Sequence, residues 1–303
     1  MITRRALLRG SLACLLTGVG LAGYAFGFEP HVRLRVARYR VTPRSWPGGL
    51  SLRLAVLADL HACEPWVGVR RIRSIVETAN RLDADAILML GDYVAAHRWV
   101  TGMVPADVWS AELGRLAAPL GVHAILGNHD WWDDRTAQQD GHGPVLARRV
   151  LEAVGVRVYE NDAVRLQKAQ HAFWLAGLGD QLAFAPSLRR KTREGRVGVD
   201  DLAGTLAQVT DDAPVILLAH EPDIFPRVPR RVSLTLCGHT HGGQVRFFGY
   251  SPVVPSSYGN RYAYGHVVEE NRSLIVSGGL GCAIFPVRIG VPPEIVLIDV
   301  TAA

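Results

Sequence analysis

Acidic, amide and imidazole side chains follow apolar runs at five separate places along this chain. The runs with their polar ends are LADLH, LMLGDY, AILGNHD, ILLAHEP and LTLCGHTHGG, and the polar residues are Asp59, His61, Asp92, Asn128, His129, His220, His239 and His241. The ends of strands are where a sheet brings side chains from distant segments into one pocket. Carboxylate, amide and imidazole groups that meet there could bind divalent metal ions and catalyse hydrolysis.

The spacing within two of these blocks suits chelation of a cation. Asp59 and His61 are two residues apart, so in an extended backbone their side chains point the same way. His239 and His241 have the same spacing, and the glycines around them allow a tight turn. We therefore expect each pair to contribute to a metal site.

Two further residues indicate that the site holds two cations. Asp92 follows Gly91 at a predicted strand end, where its two carboxylate oxygens could bridge two ions. Asn128 adds a neutral amide oxygen, which suits the binding of an anionic substrate. The mixed ligand set favours Mn²⁺, Zn²⁺ or Fe over an all-oxygen Mg²⁺ site. Two such ions about 3.5–4 Å apart activate a bridging water and neutralise phosphoryl oxygens during in-line attack.

His129 is predicted to stay free of the metals. It could then protonate the leaving oxygen or stabilise charge in the transition state. Asp130, the next residue, could hold the His129 ring in one orientation. Taken alone, the blocks differ in specificity: Gly91-Asp92 is explained by ordinary turn chemistry, whereas Gly-His-Thr-His-Gly-Gly is quite specific. All five blocks in order at strand ends favour a catalytic site.

The segments between the blocks have the periodicities needed to position them. Alternation over residues 31–41 predicts a half-buried edge strand, and residues 52–58 predict a buried strand that ends at Asp59. Helical spacing over 67–82 predicts a helix before a strand at 86–90, and a second helix near 107–118 precedes a strand at 122–126. The resulting βαβαβ unit implies parallel strands with the catalytic loops at their carboxyl ends.

The second half repeats this plan less regularly. We expect helices near 143–154 and 199–209, a strand pair around 156–159 and 172–177, and further strands at 215–219, 232–237, 266–269, 273–277 and 294–300. No linker-like segment is visible after the N-terminal region. Residues 31–303 are therefore predicted to form one α/β domain with two packed sheets flanked by helices.

Charge and cysteine content argue against a nucleic-acid-binding protein and against a fold held by disulfides. The formal charge of +5 includes the three arginines Arg4, Arg5 and Arg9 of the N-terminal segment, and the other arginines are scattered. We therefore expect no nucleic-acid partner. Of the four cysteines, Cys14 lies in that segment, and the remaining three do not suggest a disulfide framework. The pattern gives no indication of an oligomer.

The first 28 residues have the form of a targeting segment. A positively charged start is followed by an uncharged apolar stretch, as in a signal peptide or a membrane anchor. The run TRRALLR resembles a twin-arginine export signal. The stretch is close to the ~20 residues that span a bilayer, so an uncleaved anchor is the alternative. We expect either an exported, membrane-associated protein or an inner-membrane protein that faces the cytoplasm; a buried N-terminal helix is disfavoured.

The five blocks together resemble the calcineurin-like metallophosphoesterase superfamily, with the pattern D-x-H, G-D, G-N-H-[DE], H and G-H-x-H. The resemblance implies a four-layer α/β/β/α sandwich and two divalent metal ions. It assigns Asp59, His61 and His241 to one metal, Asn128, His220 and His239 to the other, Asp92 to the bridge and His129 to catalysis. The runs GHTHGGQ, VSGGLG and PPEIVLIDV are similar to the YaeI/YkuE-type phosphodiesterases, whose relatives include UDP-2,3-diacylglucosamine pyrophosphatases.

Aromatic and apolar residues beside two of the blocks bear on the substrate. They are Trp99, Met103, Val104, Trp109, Trp131 and Trp132. At the rim of a metal site they could accept an acyl chain, and the alternative is core packing beneath a loop. The preferred hypothesis is hydrolysis of a phosphodiester or pyrophosphate that is lipid-linked. The alternatives are a phosphomonoesterase or protein phosphatase on the same site, and a catalytically silent metal-binding scaffold, which the presence of His129 disfavours.

Overall fold

The computed structural model describes residues 3–44, 46–95, 97–184 and 197–302. A first six-stranded sheet contains β1 (Arg35–Val41), β2 (Leu52–Leu57), β4 (Ala86–Met89), β6 (Val122–Ala124), β7 (Arg157–Val158) and β14 (Glu294–Val300), in the order β1-β14-β2-β4-β6-β7. Its strands are parallel except for the antiparallel pair β14–β2.

A second six-stranded sheet packs on the first. It contains β8 (Asp162–Lys168), β9 (His171–Gly177), β10 (Val215–Leu218), β11 (Val232–Cys237), β12 (Gly265–Glu269) and β13 (Arg272–Val276), in the order β12-β13-β11-β10-β9-β8. The four central strands are parallel, and both edge strands are antiparallel to their neighbours. A small ribbon joins β3 (Cys63–Glu64) to β5 (Gly102–Met103).

Helices cover the outer faces of both sheets. The α-helices are α1 (Arg4–Gly23), α2 (Glu29–His31), α3 (Val69–Asn80), α4 (Ala106–Leu113), α5 (Asn128–Trp132), α6 (Arg135–Asp140), α7 (Leu146–Ala153) and α8 (Leu202–Ala207). A π-helical turn, Tyr24–Phe28, joins α1 to α2, and 3₁₀ turns occur at Pro222–Arg227, His241–Gly243 and Gly259–Tyr262.

Three apolar clusters separate the layers. In the first, Ile72 and Ile75 of α3 pack with Trp109 of α4 on the outer face of the first sheet. Between the sheets, residues such as Leu54 and Leu234 are buried together. On the outer face of the second sheet the turn at Pro222–Arg227 and α8 cover a third cluster. The predicted four-layer α/β/β/α sandwich is confirmed.

Most predicted elements agree with the structure, and one predicted strand pairing is corrected. The βαβαβ unit is β2-α3-β4-α4-β6, with parallel strands. However, β7 does not pair with β9: it extends the first sheet beside β6, whereas β9 pairs with β8. The strand β8 was not predicted, because it is an edge strand with a mixed polar sequence. The C-terminal strand β14 returns to the first sheet and separates β1 from β2.

The N-terminal helix stands apart from this core. The described side chains of α1 are exposed, including Leu12 (56 %) and Leu15 (63 %). The helical stretch Leu8–His31 is long and apolar enough to cross a membrane, judged by length and composition alone. Burial begins at Ala25, Glu29 and Pro30, where the helix meets the domain.

Candidate metal centre

All seven predicted ligands lie just after strands whose carboxyl ends share one edge of the sandwich. Asp59 and His61 follow β2, Asp92 follows β4, Asn128 follows β6, His220 follows β10, and His239 and His241 follow β11. Six of the seven are buried, and His239 is partly buried. Both sheets contribute, so the site lies where their edges meet.

One group of possible ligands consists of Asp59, His61 and His241, whose donor atoms lie within 4.8 Å of one another. The Nε2 atoms of His61 and His241 are 3.1 Å apart, and Asp59 Oδ1 is 3.8 Å from His241 Nε2. These are the residues that the family resemblance assigned to one metal.

The second group consists of Asp92, His220 and His239, again with donor atoms within 4.8 Å. His239 Nδ1 is 3.0 Å from Asn128 Oδ1, which brings the predicted amide ligand into this group. Asp92 Oδ2 lies 3.2 Å from His220 Nε2 and 3.6 Å from His61 Nε2. Asp92 therefore stands between the two groups, where a bridging ligand is required.

Buried atoms without hydrogen-bond partners indicate that cations fit this site. Among the described residues, buried Asp59 Oδ2 has no hydrogen-bond partner, and buried His220 Nε2 has only its 3.2 Å contact with Asp92 Oδ2. Such atoms are costly unless something else satisfies them. The Nδ1 atoms of His61 and His220 each contact a backbone carbonyl, Val94 O at 2.7 Å and Leu90 O at 2.6 Å. Donation to a carbonyl leaves each Nε2 lone pair free for a metal ion.

Burial and neighbouring charges shift the pKa values of the side chains in the site. Burial raises the pKa of Asp59 to about 7, against the attraction of His220. Burial lowers the pKa of His61 to about 3, so its imidazole is neutral at physiological pH. For Asp92 burial acts to raise the pKa, but His220 and His129 together outweigh it and lower the pKa well below its ordinary value. A neutral imidazole beside an ionised carboxylate suits metal binding.

The backbone of the ligand residues departs from the extended geometry that we predicted. Asp59, His61, Asp92, His239 and His241 all have φ between 48° and 69°, in the left-handed region. Non-glycine residues rarely adopt this region, and its strain is typical of functional sites. The side chains of each pair therefore converge because of tight left-handed turns, not because of extended backbone.

Close packing explains the glycine in one of the motifs. A Cβ atom on Gly127 would lie 2.3 Å from Asp92 Oδ1 and 2.7 Å from His220 Cε1. Any larger residue would therefore displace two of the ligands. The Gly of Gly-Asn-His-Asp is a requirement of the site and not only of a turn.

His129 belongs to neither group of ligands. Its backbone N–H donates to Asp92 Oδ1 at 2.9 Å, and its ring lies edge-on to His61 and Trp132, with centroids 5.3 Å and 4.9 Å away. Within the described residues no hydrogen bond engages this ring. It is thus available to a substrate, as an acid catalyst must be.

Asp130 contacts the backbone of the Asp92 loop. Its Oδ2 accepts hydrogen bonds from the backbone N–H groups of Asp92 and Gly127, and its Oδ1 accepts from Tyr93 N–H. These bonds hold the Asp92 loop against the start of α5. That Asp130 also orients the His129 ring stays a prediction. Burial, reinforced by Asp92, raises the pKa of Asp130 to about 7.

Sequence reasoning missed Arg288 and His97. Arg288 is fully buried and reaches His241, and its only signal was its place in the run FPVRIGVPPEI. His97 lies against Trp66 with ring centroids 6.5 Å apart, and both of its ring nitrogens are buried without a hydrogen-bond partner. Neither residue lies at a strand end, and the sequence pattern pointed only to polar residues that follow predicted strands.

The aromatic residues beside the motifs divide between the core and the surface. Trp109 and Trp131 are buried core residues: Trp109 stacks on Tyr93, and the Trp131 ring packs at a tilt against Phe184. Trp99 is 60 % exposed. Only some of the aromatic residues beside the motifs could therefore form a rim around the candidate metal site.

Comparison with known proteins gives a consistent picture. The family model described as calcineurin-like phosphoesterase matches residues 52–243. An uncharacterized metallophosphoesterase of Bacillus subtilis, YkuE, is 27 % identical and covers 97 % of this chain and 96 % of its own. The phosphodiesterase YaeI of Escherichia coli is 27 % identical over 99 % of both chains. A transmembrane protein with a metallophosphoesterase domain from Danio rerio is 28 % identical over 80 % of this chain and 52 % of its own.

Proposed function

The chain belongs to the calcineurin-like phosphoesterase family, and on this premise we propose that it hydrolyses a lipid-linked phosphodiester or pyrophosphate at a membrane surface. It is a metal-dependent phosphoric ester hydrolase. The proposal concerns the finer points: the type of ester, the lipid, the membrane and the catalytic roles of single residues.

The observation that carries the proposal is the pair of ligand groups with Asp92 between them and His129 beside them. Two divalent cations held there, of Mn²⁺, Zn²⁺ or Fe, would supply an activated water and charge neutralisation for phosphoryl transfer. The chain's own residues do the rest. Asp59, His61 and His241 bind one ion, and the other group, with Asn128, binds the second. His129 holds a proton for the leaving oxygen.

Two points support a diester over a monoester. The relative named as a phosphodiesterase aligns with nearly the whole chain. In addition, the guanidinium that contacts the predicted ligand His241, that of Arg288, is fully buried against carbonyls. A dianionic monoester would favour an accessible arginine clamp, whereas a monoanionic diester needs less positive charge beyond the metals.

Three points support a membrane-bound substrate. An exposed apolar helix precedes the domain, and two relatives are named as transmembrane proteins. The end of this helix is attached close to the candidate metal centre: the backbone N–H of Arg288 donates to Ala25 O at 3.0 Å, and the Arg288 side chain contacts His241. With this helix in a bilayer, the candidate metal centre would lie on the membrane side of the domain.

Hydrolysis by the purified full-length protein tests the type of ester. With Mn²⁺ we expect faster turnover of bis-p-nitrophenyl phosphate than of p-nitrophenyl phosphate, and hydrolysis of a phospholipid or nucleotide-linked lipid diester presented in vesicles. Rapid turnover of the monoester alone would instead establish the phosphomonoesterase alternative. A metal-loaded protein that hydrolyses none of them would support the silent scaffold.

Membrane fractionation tests the role of the first 28 residues, as export signal or as anchor. We expect the full-length product in the membrane fraction or, after cleavage, outside the cytoplasm. Lysine substitution of both Arg4 and Arg5 should block export if the twin-arginine pair is used. A soluble, uncut cytoplasmic product would contradict both readings.

A further inference from the structure

A large apolar cavity opens beside the metal centre, at the point where the N-terminal helix meets the domain. Its volume is about 740 Å³, and its walls include Phe26, Trp66, Trp99 and Phe285, with Arg98 at its edge. This size lies within the range of small-molecule sites. The wall is unusual for a surface because Trp99 and Phe285 are 60 % and 50 % exposed.

Contacts between loops hold the walls of this cavity in place. The β3–β5 ribbon joins the segment before Trp66 to the segment after Trp99, and Trp66 Nε1 donates a hydrogen bond to Trp99 O. The rings of Trp99 and Phe285 are 6.1 Å apart. Gln244 Nε2 donates to Phe285 O at 3.0 Å. The aromatic walls are therefore preorganised.

The cavity adjoins the end of the membrane-length helix. Phe26 comes directly from the π-helical turn that follows α1, and His31 stacks on Trp66 with centroids 4.5 Å apart. With α1 in a bilayer, Phe26 would lie at the level where the acyl chains meet the head groups. Aromatic side chains are favoured at that level.

The same cavity also adjoins the metal centre. Trp66 contacts His97, which lies three residues after Val94, and the carbonyl oxygen of Val94 is 2.7 Å from His61 Nδ1. On the other wall Phe285 is held by Gln244, three residues after His241. A molecule with a phosphoryl group at the metals could thus extend an apolar tail towards Trp66 and Phe285.

From these contacts we infer that the cavity binds an acyl chain of the lipid whose phosphodiester is hydrolysed, and that Arg98 at its edge contacts an anionic oxygen of the head group. The inference rests on the proposed function and adds the position at which the acyl chain of the substrate binds. The site is apolar, preformed, continuous with the membrane helix and next to the metals. An acyl chain satisfies all four conditions.

A series of p-nitrophenyl alkyl phosphodiesters, from ethyl to octyl, tests this inference with the full-length protein in nanodiscs. We expect kcat/KM to rise with chain length by up to about fourfold per methylene, as for burial of apolar surface. In Trp99→Ala, Phe285→Ala and the cavity-filling Val100→Trp, the ratio of the octyl to the ethyl value should fall at least tenfold. The ratio cancels any general change at the metal centre.

Phe248→Ala is the matched control, because Phe248 is a fully exposed aromatic residue outside the cavity walls. Its octyl-to-ethyl ratio should equal that of the unaltered protein. Diester hydrolysis without a chain-length effect, or with the same effect in all four variants, would overturn the acyl site and leave the proposed function intact. A metal-loaded protein that hydrolyses no diester would overturn both.

Discussion

Nη2 of Arg288 lies 3.2 Å from Nδ1 of His241, and both side chains are buried. A guanidinium can only donate, so Nδ1 of His241 accepts and its remaining proton resides on Nε2. This differs from His61 and His220, whose Nδ1 atoms contact carbonyl oxygens. A metal ion at Nε2 of His241 would therefore require this proton to shift to Nδ1, which would remove the acceptor that faces Arg288.

Replacement of Arg288 by Met should destabilise the fold strongly. The guanidinium donates to Gly278 O, Gly281 O and Val291 O, and these carbonyls would be left buried without partners. We expect the free energy of unfolding to fall by about 3 kcal/mol or more, measured by urea denaturation of the metal-free protein. Arg227→Met is the control: its ion pair with Asp200 is exposed, so it should lose less than about 1 kcal/mol. Equal losses would contradict the structural role.

Metal affinity should increase with pH between about 5 and 7. Burial raises the pKa of Asp59 to about 7 in the metal-free protein, so below that pH a cation must displace its proton. The apparent affinity should rise by up to about tenfold per pH unit and then level off above the pKa. Titration with Mn²⁺ at several pH values measures this. Asp59→Asn should bind more weakly and with a shallower slope; a flat profile for the unaltered protein would refute the prediction.

Asp92→Asn should abolish most of the activity. Asp92 Oδ2 is the atom that approaches both ligand groups, and an amide offers one neutral oxygen in place of two oxygens that share a negative charge. We expect kcat to fall about 10³-fold, several kcal/mol of transition-state stabilisation, together with lower metal content by mass spectrometry. Asp299→Asn, an exposed carboxylate on β14 paired with Arg53, should leave both quantities unchanged. Full metal content and full activity in the Asp92→Asn variant would contradict the proposed bridging role of Asp92.

His129→Gln should slow the reaction in a way that depends on the leaving group. An acid catalyst contributes about 10²–10⁴-fold, but p-nitrophenolate leaves without a proton. We therefore expect a large loss of kcat for an alkyl leaving group and a much smaller one for p-nitrophenyl esters. Metal content should not change, because His129 is in neither ligand group. Equal losses for both leaving groups would argue against proton donation.

Asp130→Asn should act through the Asp92 loop. An amide nitrogen cannot accept hydrogen bonds, so one or two of the three backbone N–H groups would lose their partner. We expect a loss of about 1–3 kcal/mol in unfolding free energy and weaker metal binding. Activity should recover at high metal concentration. A fully loaded variant that stays slow would instead support the prediction that Asp130 orients the His129 ring.

Much of the fold followed from local patterns. Alternation and helical spacing located most elements within a few residues, and β11 begins and ends at the predicted residues. The pairing of the strands could not be predicted from local patterns, because it depends on which distant segments meet. The strand β14 joins the first sheet between β1 and β2, and β8 completes the edge of the second.

The residues that the structure brings together at the candidate metal centre could be named from the order and spacing of the motifs. Residue type sets the ligand chemistry, and a position after an apolar strand sets the edge of the sheet to which a side chain belongs. These two properties are local, so the sequence alone could supply them.

The geometry of the site needed the tertiary structure. The left-handed backbone at Asp59 and His61, the carbonyl-bound Arg288, and the engagement of Asp130 with backbone depend on contacts between segments far apart in the chain. The same holds for the cavity between Phe26 and Phe285, whose walls are about 260 residues apart in sequence. Burial and hydrogen-bond partners are properties of such contacts, and no single segment encodes them.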